Sequence, residues 1–244
     1  MNRKNIVTKM ALVPLLLASI SSAFAETSGS FLDSSQVADS LTLLPAPPAY
    51  GSVAFLRDKA AYEEGHSQIN TPRWEQAIKD ADLTDSNIGK PFSEALGVDI
   101  NPKNTPATYE LLRKIRTDSG DIAPKTAKEH YMRVRPFMFF NTHTCTPNDE
   151  PGLRKNGSYP SGHTAIGWST ALILSEMRPD RENQILKRGY EFGQSRVICG
   201  AHWQSDVDAG RIIGSAEVAR LHADKEFMQA FAKSKAEIDE KLKK

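Results

Sequence analysis

Three short segments of the sequence gather side chains that bind anions or move protons. The first is Lys128-Glu-His-Tyr-Met-Arg-Val-Arg135-Pro136. Its two outer cations are seven positions apart, so a continuous helix would carry Lys128 and Arg135 on one face, two turns apart, before Pro136 ends it. Alone, such a pair reads equally well as a solvated basic face. The second segment, Gly157-Ser-Tyr-Pro-Ser161-Gly162-His163-Thr164, runs straight into a helical pattern from Ala165 to Met177. A loop of Ser and Gly at a helix start points free backbone N–H groups and the positive dipole end at one spot, which makes an anion site. The plainer reading is a serine-capped helix with an incidental histidine. The third segment is Ser195-Arg196 followed by His202-Trp-Gln-Ser-Asp206. With a helix starting near His202, Asp206 comes round one turn later, where it can accept the imidazole Nδ1–H and leave Nε2 free as a nucleophile. The same spacing could hold a metal, but no other cluster offers obvious further ligands.

These groups need elements to position them, and the signals for those elements are helical. Thr71-Pro72 and Thr105-Pro106 each put an N-cap type before a proline at the first helical position. Apolar residues then recur at helical spacing, as in Tyr109, Leu112 and Ile115. Further helices are predicted over roughly 53–64, 119–134, 163–177, 181–197, 204–221 and 224–242, punctuated by Pro136, Pro179 and Gly200. Strand signals are sparse and no internal repeat is visible, so the expected fold is an all-α, single-domain helical bundle. Pro45-Ala-Pro-Pro48 ends a segment, residues 26–50, expected to be an extended arm, either mobile or packed.

Length and charge narrow the function classes. Arg3, Lys4 and Lys9 precede an apolar stretch from Met10 to Ile20, and Ala23-Phe24-Ala25 follows. That order reads as a signal peptide over residues 1–25, since the stretch is short for a membrane anchor and Pro14 interrupts it. Its removal takes away three basic residues and no acidic one, leaving 28 Lys+Arg against 30 Asp+Glu in residues 26–244. That balance gives no reason to expect a nucleic acid partner. The most apolar later stretch, Ala165 to Leu174, is too short and too polar for a bilayer span, so no membrane association is expected after cleavage. Cys145 and Cys199 are the two cysteines, and in an exported chain such a pair is expected to be bridged.

Taken in order, the segments carry Lys-x6-Arg-Pro, Pro-Ser-Gly-His and Ser-Arg-x5-His-x3-Asp, with every fixed position present. The chain thereby resembles the phosphatidic acid phosphatase type 2 superfamily. Within it, the octet Gly157–Thr164, the stretches Asp39–Pro45 and Ala127–Arg133, and the run Gln194–Asp206 are similar to bacterial class A nonspecific acid phosphatases. The likeness covers residue 39 to the C-terminus. It implies a fold shared with vanadium haloperoxidases, a periplasmic location, small organic phosphomonoesters as substrates, and hydrolysis with no metal and no cofactor. Carried over residue by residue, it makes His202 the nucleophile, Asp206 its orienting carboxylate and His163 the proton donor. Lys128, Arg135, Arg196, Ser161 and Gly162 then hold the phosphate. The resemblance is compatible with a homo-oligomer and with phosphotransfer to alcohols.

The other histidines, His66, His130, His143 and His222, carry no partner pattern, and Trp168 and Trp203 read as core or wall. A haloperoxidase would hold vanadate on the same residues but is a much longer chain. A lipid phosphatase of the superfamily needs several spanning helices, and a mere phosphate binder has no use for a His202/Asp206 pair plus His163. Within the phosphatases the rival is an apyrase-like preference for nucleoside di- and triphosphates, which would leave the catalytic residues unchanged.

Overall fold

The computed structural model of the chain describes residues 29–243, so the expected leader, residues 1–25, lies outside the described residues. In chain order the helices are α1 (Ser40–Leu43), α2 (Val53–His66), α3 (Pro72–Asp80), α4 (Ser93–Leu96) and α5 (Pro106–Thr117). A π-turn at Asp118–Ile122 leads into α6 (Lys125–Tyr131), α7 (Pro136–Phe139) and α8 (Glu150–Leu153). The long elements α9 (Gly162–Met177), α10 (Glu182–Ile198), α11 (Gln204–Leu221) and α12 (Lys225–Leu242) complete the bundle. No strand occurs among the described residues, and the fold is all-α as the periodicity predicts.

Helix α9 is the axis, with α10 and α11 packed along it. Its side chains are apolar or small on nearly every side, which suits an element enclosed by others rather than one with a wet face. Ile173, Leu174, Ile185, Leu111, Ile115 and Phe227 are fully buried in the main core, each contributing about 1.5–3 kcal/mol of transfer free energy. At its N-terminal end α9 meets the backbone of α11 directly: a Cβ added at Gly214 would lie 2.9 Å from the Ala165 carbonyl oxygen. That close approach lets Ser161 N–H reach the Asp206 carbonyl at 2.9 Å.

Caps follow the sequence in one case and depart from it in another. Thr71 accepts from Trp74 N–H at 3.3 Å, as a cap should. Thr105 does not cap α5; its hydroxyl is engaged with Asn101 and Asp99. The Glu237 carboxylate of α12 takes its place, accepting from Ala107 N–H and Thr108 N–H at 3.0 and 2.9 Å. The N-terminal arm is packed. Phe31 and Leu32 are buried, their N–H groups donate to the Asp118 carboxylate at 3.0–3.1 Å, and Tyr159 O–H donates to the Pro45 carbonyl at 2.7 Å. A disulfide joins Cys145 to Cys199, 54 positions apart.

Candidate active site

The cations come first, because their route to the site is not the expected one. Helix α6 does not continue to residue 134: it stops at Met132, which is left-handed with φ 40°. Lys128 and Arg135 therefore share no helix face. The chain turns between them, and both reach one acceptor, the Gly157 carbonyl, from Lys128 Nζ at 2.9 Å and from Arg135 Nη2 at 3.3 Å. Gly157 allows this approach, since a Cβ there would lie 2.7 Å from the Lys128 carbonyl oxygen. Arg135 is buried and anchored further by Leu153, Asn156 and Ala201 carbonyls. Arg196 is also buried, yet its Nε and Nη1 find no acceptor among the described residues. A desolvated guanidinium with idle donors is costly unless an anion completes it.

The second segment caps α9 as its sequence predicts. Ser161 Oγ accepts from Thr164 N–H at 3.2 Å and from the Thr164 hydroxyl at 3.0 Å, which leaves the serine's own proton to donate. Gly162 opens the helix, and a side chain there would collide with the Gly120 carbonyl of the π-turn. His163 stacks on Phe192 with centroids 5.4 Å apart. Its Nε2 lies 2.7 Å from the Asp80 carbonyl oxygen at the end of α3. A carbonyl only accepts, so Nε2 carries a proton and Nδ1 is the nitrogen left to exchange one.

His202 is brought to the site by the end of α10. Gly200, with φ 73°, closes that helix: Gly200 N–H donates to the Val197 carbonyl and Ala201 N–H to that of Arg196. His202 N–H donates to the same Arg196 carbonyl at 3.2 Å, so nucleophile candidate and guanidinium share one turn. Arg135 Nη1 stands 3.0 Å from His202 Nε2. Guanidinium can only donate, which places the lone pair on Nε2 and the proton on Nδ1. Asp206 is less simply placed than the spacing suggests. Helix α11 starts after His202, with Asp206 in its first turn, and Oδ2 is 3.5 Å from Nδ1, beyond an ordinary hydrogen bond. Its oxygens are engaged by Trp203 N–H at 2.8 Å and Arg133 Nη1 at 2.6 Å.

Asp58 of α2, the other partner of Arg133, carries no motif in the sequence, and Arg133 lies within the quoted segments with no role assigned to it. Both side chains are buried, 4% and 3% exposed, and Arg133 Nη2 donates to Asp58 Oδ2 at 2.8 Å. Asp80 is a third unforeseen participant: its carboxylate is held by Arg188 and accepts from Ser195 Oγ at 2.6 Å. Nothing but burial identifies these residues, and burial cannot be read from spacing. His66, His143 and His222 pair elsewhere, with Tyr62, Glu150 and Glu176.

The electrostatics follow from enclosure plus crowded cations. Burial, then Arg135, Lys128 and Arg196, holds His202 well below the usual histidine range, against a smaller opposing effect of the Ser158 backbone. Burial and Arg196 do the same to His163, opposed by the Asp80 carbonyl. Burial and Arg135 lower the Lys128 ammonium to about 7. Burial lowers Arg135 and Arg196 to about 10 each. The site thus holds neutral imidazoles among guanidinium groups, an arrangement that favours an incoming anion. Among the described residues no three His, Cys, Asp or Glu side chains are grouped to hold a metal, and no helix is long and apolar enough to cross a membrane.

Comparison with known proteins agrees with this chemistry. Residues 119–224, from the π-turn to the end of α11, match the PAP2 superfamily. The non-specific acid phosphatase of Providencia stuartii is 55% identical over 214 residues, covering 88% of this chain and 86% of that one. The non-specific acid phosphatase of Salmonella typhimurium is 49% identical over 229 residues, 94% and 91% of the two chains. The acid phosphatase of Zymomonas mobilis is 41% identical over 202 residues, 82% and 76%. With the anion-ready site and these relatives together, the chain belongs to the PAP2 superfamily as an acid phosphatase of the non-specific type.

Proposed function

We propose that residues 26–244 act in the periplasm, after loss of the leader, and hydrolyse small organic phosphomonoesters through a phosphohistidine on His202. The observation that carries this reading is the buried, uncharged His202, whose Nε2 lone pair faces the Arg135 guanidinium. A phosphoryl group bound by Lys128, Arg135, Arg196, the Ser161 hydroxyl and the Gly162 N–H would have its charge met on every side. Arg135 Nη1 then passes from the imidazole to a phosphoryl oxygen, and Nε2 attacks phosphorus in line. With the anion bound His163 takes up a proton on Nδ1; the P–N bond then forms as the ester P–O bond breaks, and the leaving alkoxide takes that proton. Water, giving a proton back to Nδ1, cleaves the P–N bond and releases phosphate.

A cleft of about 320 Å³ beside Lys128 is lined by Lys125, Lys155, Asp121 and Glu129. Its two further lysines and two carboxylates balance, Lys125 pairing with Glu129 at 3.9 Å, and the rival preference for nucleoside di- and triphosphates is decided by comparing a nucleoside monophosphate with ATP. The roles of the histidines separate by leaving group. His202→Ala is expected to abolish turnover of every ester. His163→Ala is expected to lose far more activity toward an alkyl phosphate than toward p-nitrophenyl phosphate, whose phenolate leaves unprotonated. Equal losses with both esters would remove His163 from the acid role.

A further inference from the structure

The Asp58–Arg133–Asp206 chain meets His202 on its Nδ1 side, Asp206 Oδ2 lying 3.5 Å from that nitrogen, and no step above uses its outer members. Arg133 follows the left-handed Met132, and its guanidinium lies 5.6 Å from the Trp203 ring centroid. It spans two buried carboxylates, Asp206 at 2.6 Å and Asp58 at 2.8 Å, and also donates to Ser205 Oγ at 2.8 Å. Asp58 in turn accepts from Ser205 N–H at 2.8 Å and from the Ser205 hydroxyl at 2.6 Å. The first turn of α11, which carries Asp206, is thereby clamped to α2 across 147 positions of sequence.

We propose that Asp58 and Arg133 are positioning residues for the nucleophile, fixing the Asp206 carboxylate behind His202 and leaving one negative charge there to balance the phosphorylated ring. The charge count carries the argument. Two carboxylates and one guanidinium leave one net negative charge within the chain, and His202 Nδ1–H, which gains positive charge on phosphorylation, lies 3.5 Å from Asp206 Oδ2. The resting ring is neutral and needs no such partner; the ring phosphorylated on Nε2 is a cation and does. Removing the Asp58 charge makes the Arg133–Asp206 pair neutral. Removing the Arg133 charge leaves two buried carboxylates with no cation between them, and one must protonate or move. Either change weakens the step that creates the cation while the phosphate-binding groups stay in place.

The inference rests on His202 being phosphorylated, so the test keeps the two apart. Single-turnover release of p-nitrophenol with enzyme in excess gives a plateau rate constant that does not depend on the fraction of folded molecules, and a half-saturating concentration that reports binding. For Asp58→Asn the plateau is expected to fall about 10- to 100-fold, the size of loss known for outer partners of metal-bound histidines, with half-saturation little changed. Arg133→Gln is expected to fall at least as far and Arg133→Lys to recover part of the loss. Plateaus equal to the parent, with only thermal stability lowered, would reduce the chain to a structural clamp and overturn the inference. Where Arg133→Gln does not fold, the isosteric Asp58→Asn decides alone. A normal plateau in His202→Ala would instead sink the underlying reading.

Discussion

His202 and His163 are the same side chain presenting opposite atoms. A guanidinium donor at Nε2 keeps the His202 lone pair there, the atom that attacks in the proposed mechanism, whereas a carbonyl acceptor at Nε2 leaves His163 only Nδ1 to exchange a proton. Both are held well below the usual histidine range, which favours the neutral ring in the empty site. A bound anion offsets the cations that depress them and raises their pKa values. Between the depressed and the restored value the complex binds more protons than the free protein, so anion binding takes protons up and tightens as pH falls through that window. Sulfate, which does not titrate there, isolates the effect. Calorimetry near pH 5–6 in buffers of different ionisation enthalpy is expected to show net proton uptake, and uptake of zero or proton release would contradict it. In the proposed mechanism the same sign favours acid pH, because His163 must begin the cycle protonated.

At the scale of elements, much of the molecule is legible before any coordinates. Helix α11 spans the predicted residues, α9 and α10 differ from prediction by about one residue at a terminus, and the Thr71-Pro72 start holds. These elements have local signals: a cap, a proline, a glycine, and apolar spacing. The departures lie where distant residues decide. The predicted helix 119–134 is broken by a π-turn whose Asp118 is committed to the N-terminal arm, and by Met132, whose reversal sends Arg133 and Arg135 to different partners. Glu237 replaces Thr105 as the cap of α5 from 130 positions away. In the same way the motif residues of the site are readable as residue types, whereas Asp58, and the role of Arg133, are visible only once the two are buried together. The disulfide belongs to this scale, since it ties the loop after α7 to the turn that presents His202. Closing that loop is worth about 4 kcal/mol in the chain-entropy view. Cys145→Ser/Cys199→Ser is expected to lower unfolding free energy by that order in urea titration; unchanged stability would show that the bridge constrains little.

For the whole molecule, the notable feature is convergence at one end of the bundle. The N-terminal ends of α9 and α11 meet the C-terminal ends of α3 and α10 around Arg196, His163 and His202. Helix starts supply N–H donors for an anion, and helix ends supply carbonyls that hold the histidine and turn the chain. The long core behind them, from Ile173 to Phe227, makes the end rigid, while the arm through Leu32 and Pro45 closes over its flank. In the proposed mechanism this end carries a covalent phosphoryl group on His202 Nε2. The direct measurement is a rapid alkaline quench of the enzyme during turnover of a ³²P-labelled monoester, followed by peptide mapping. The account predicts acid-labile, base-stable label on the peptide containing His202, attached at Nε2 and absent in His202→Ala. Label on another residue, or turnover without any phosphorylated peptide, would contradict it.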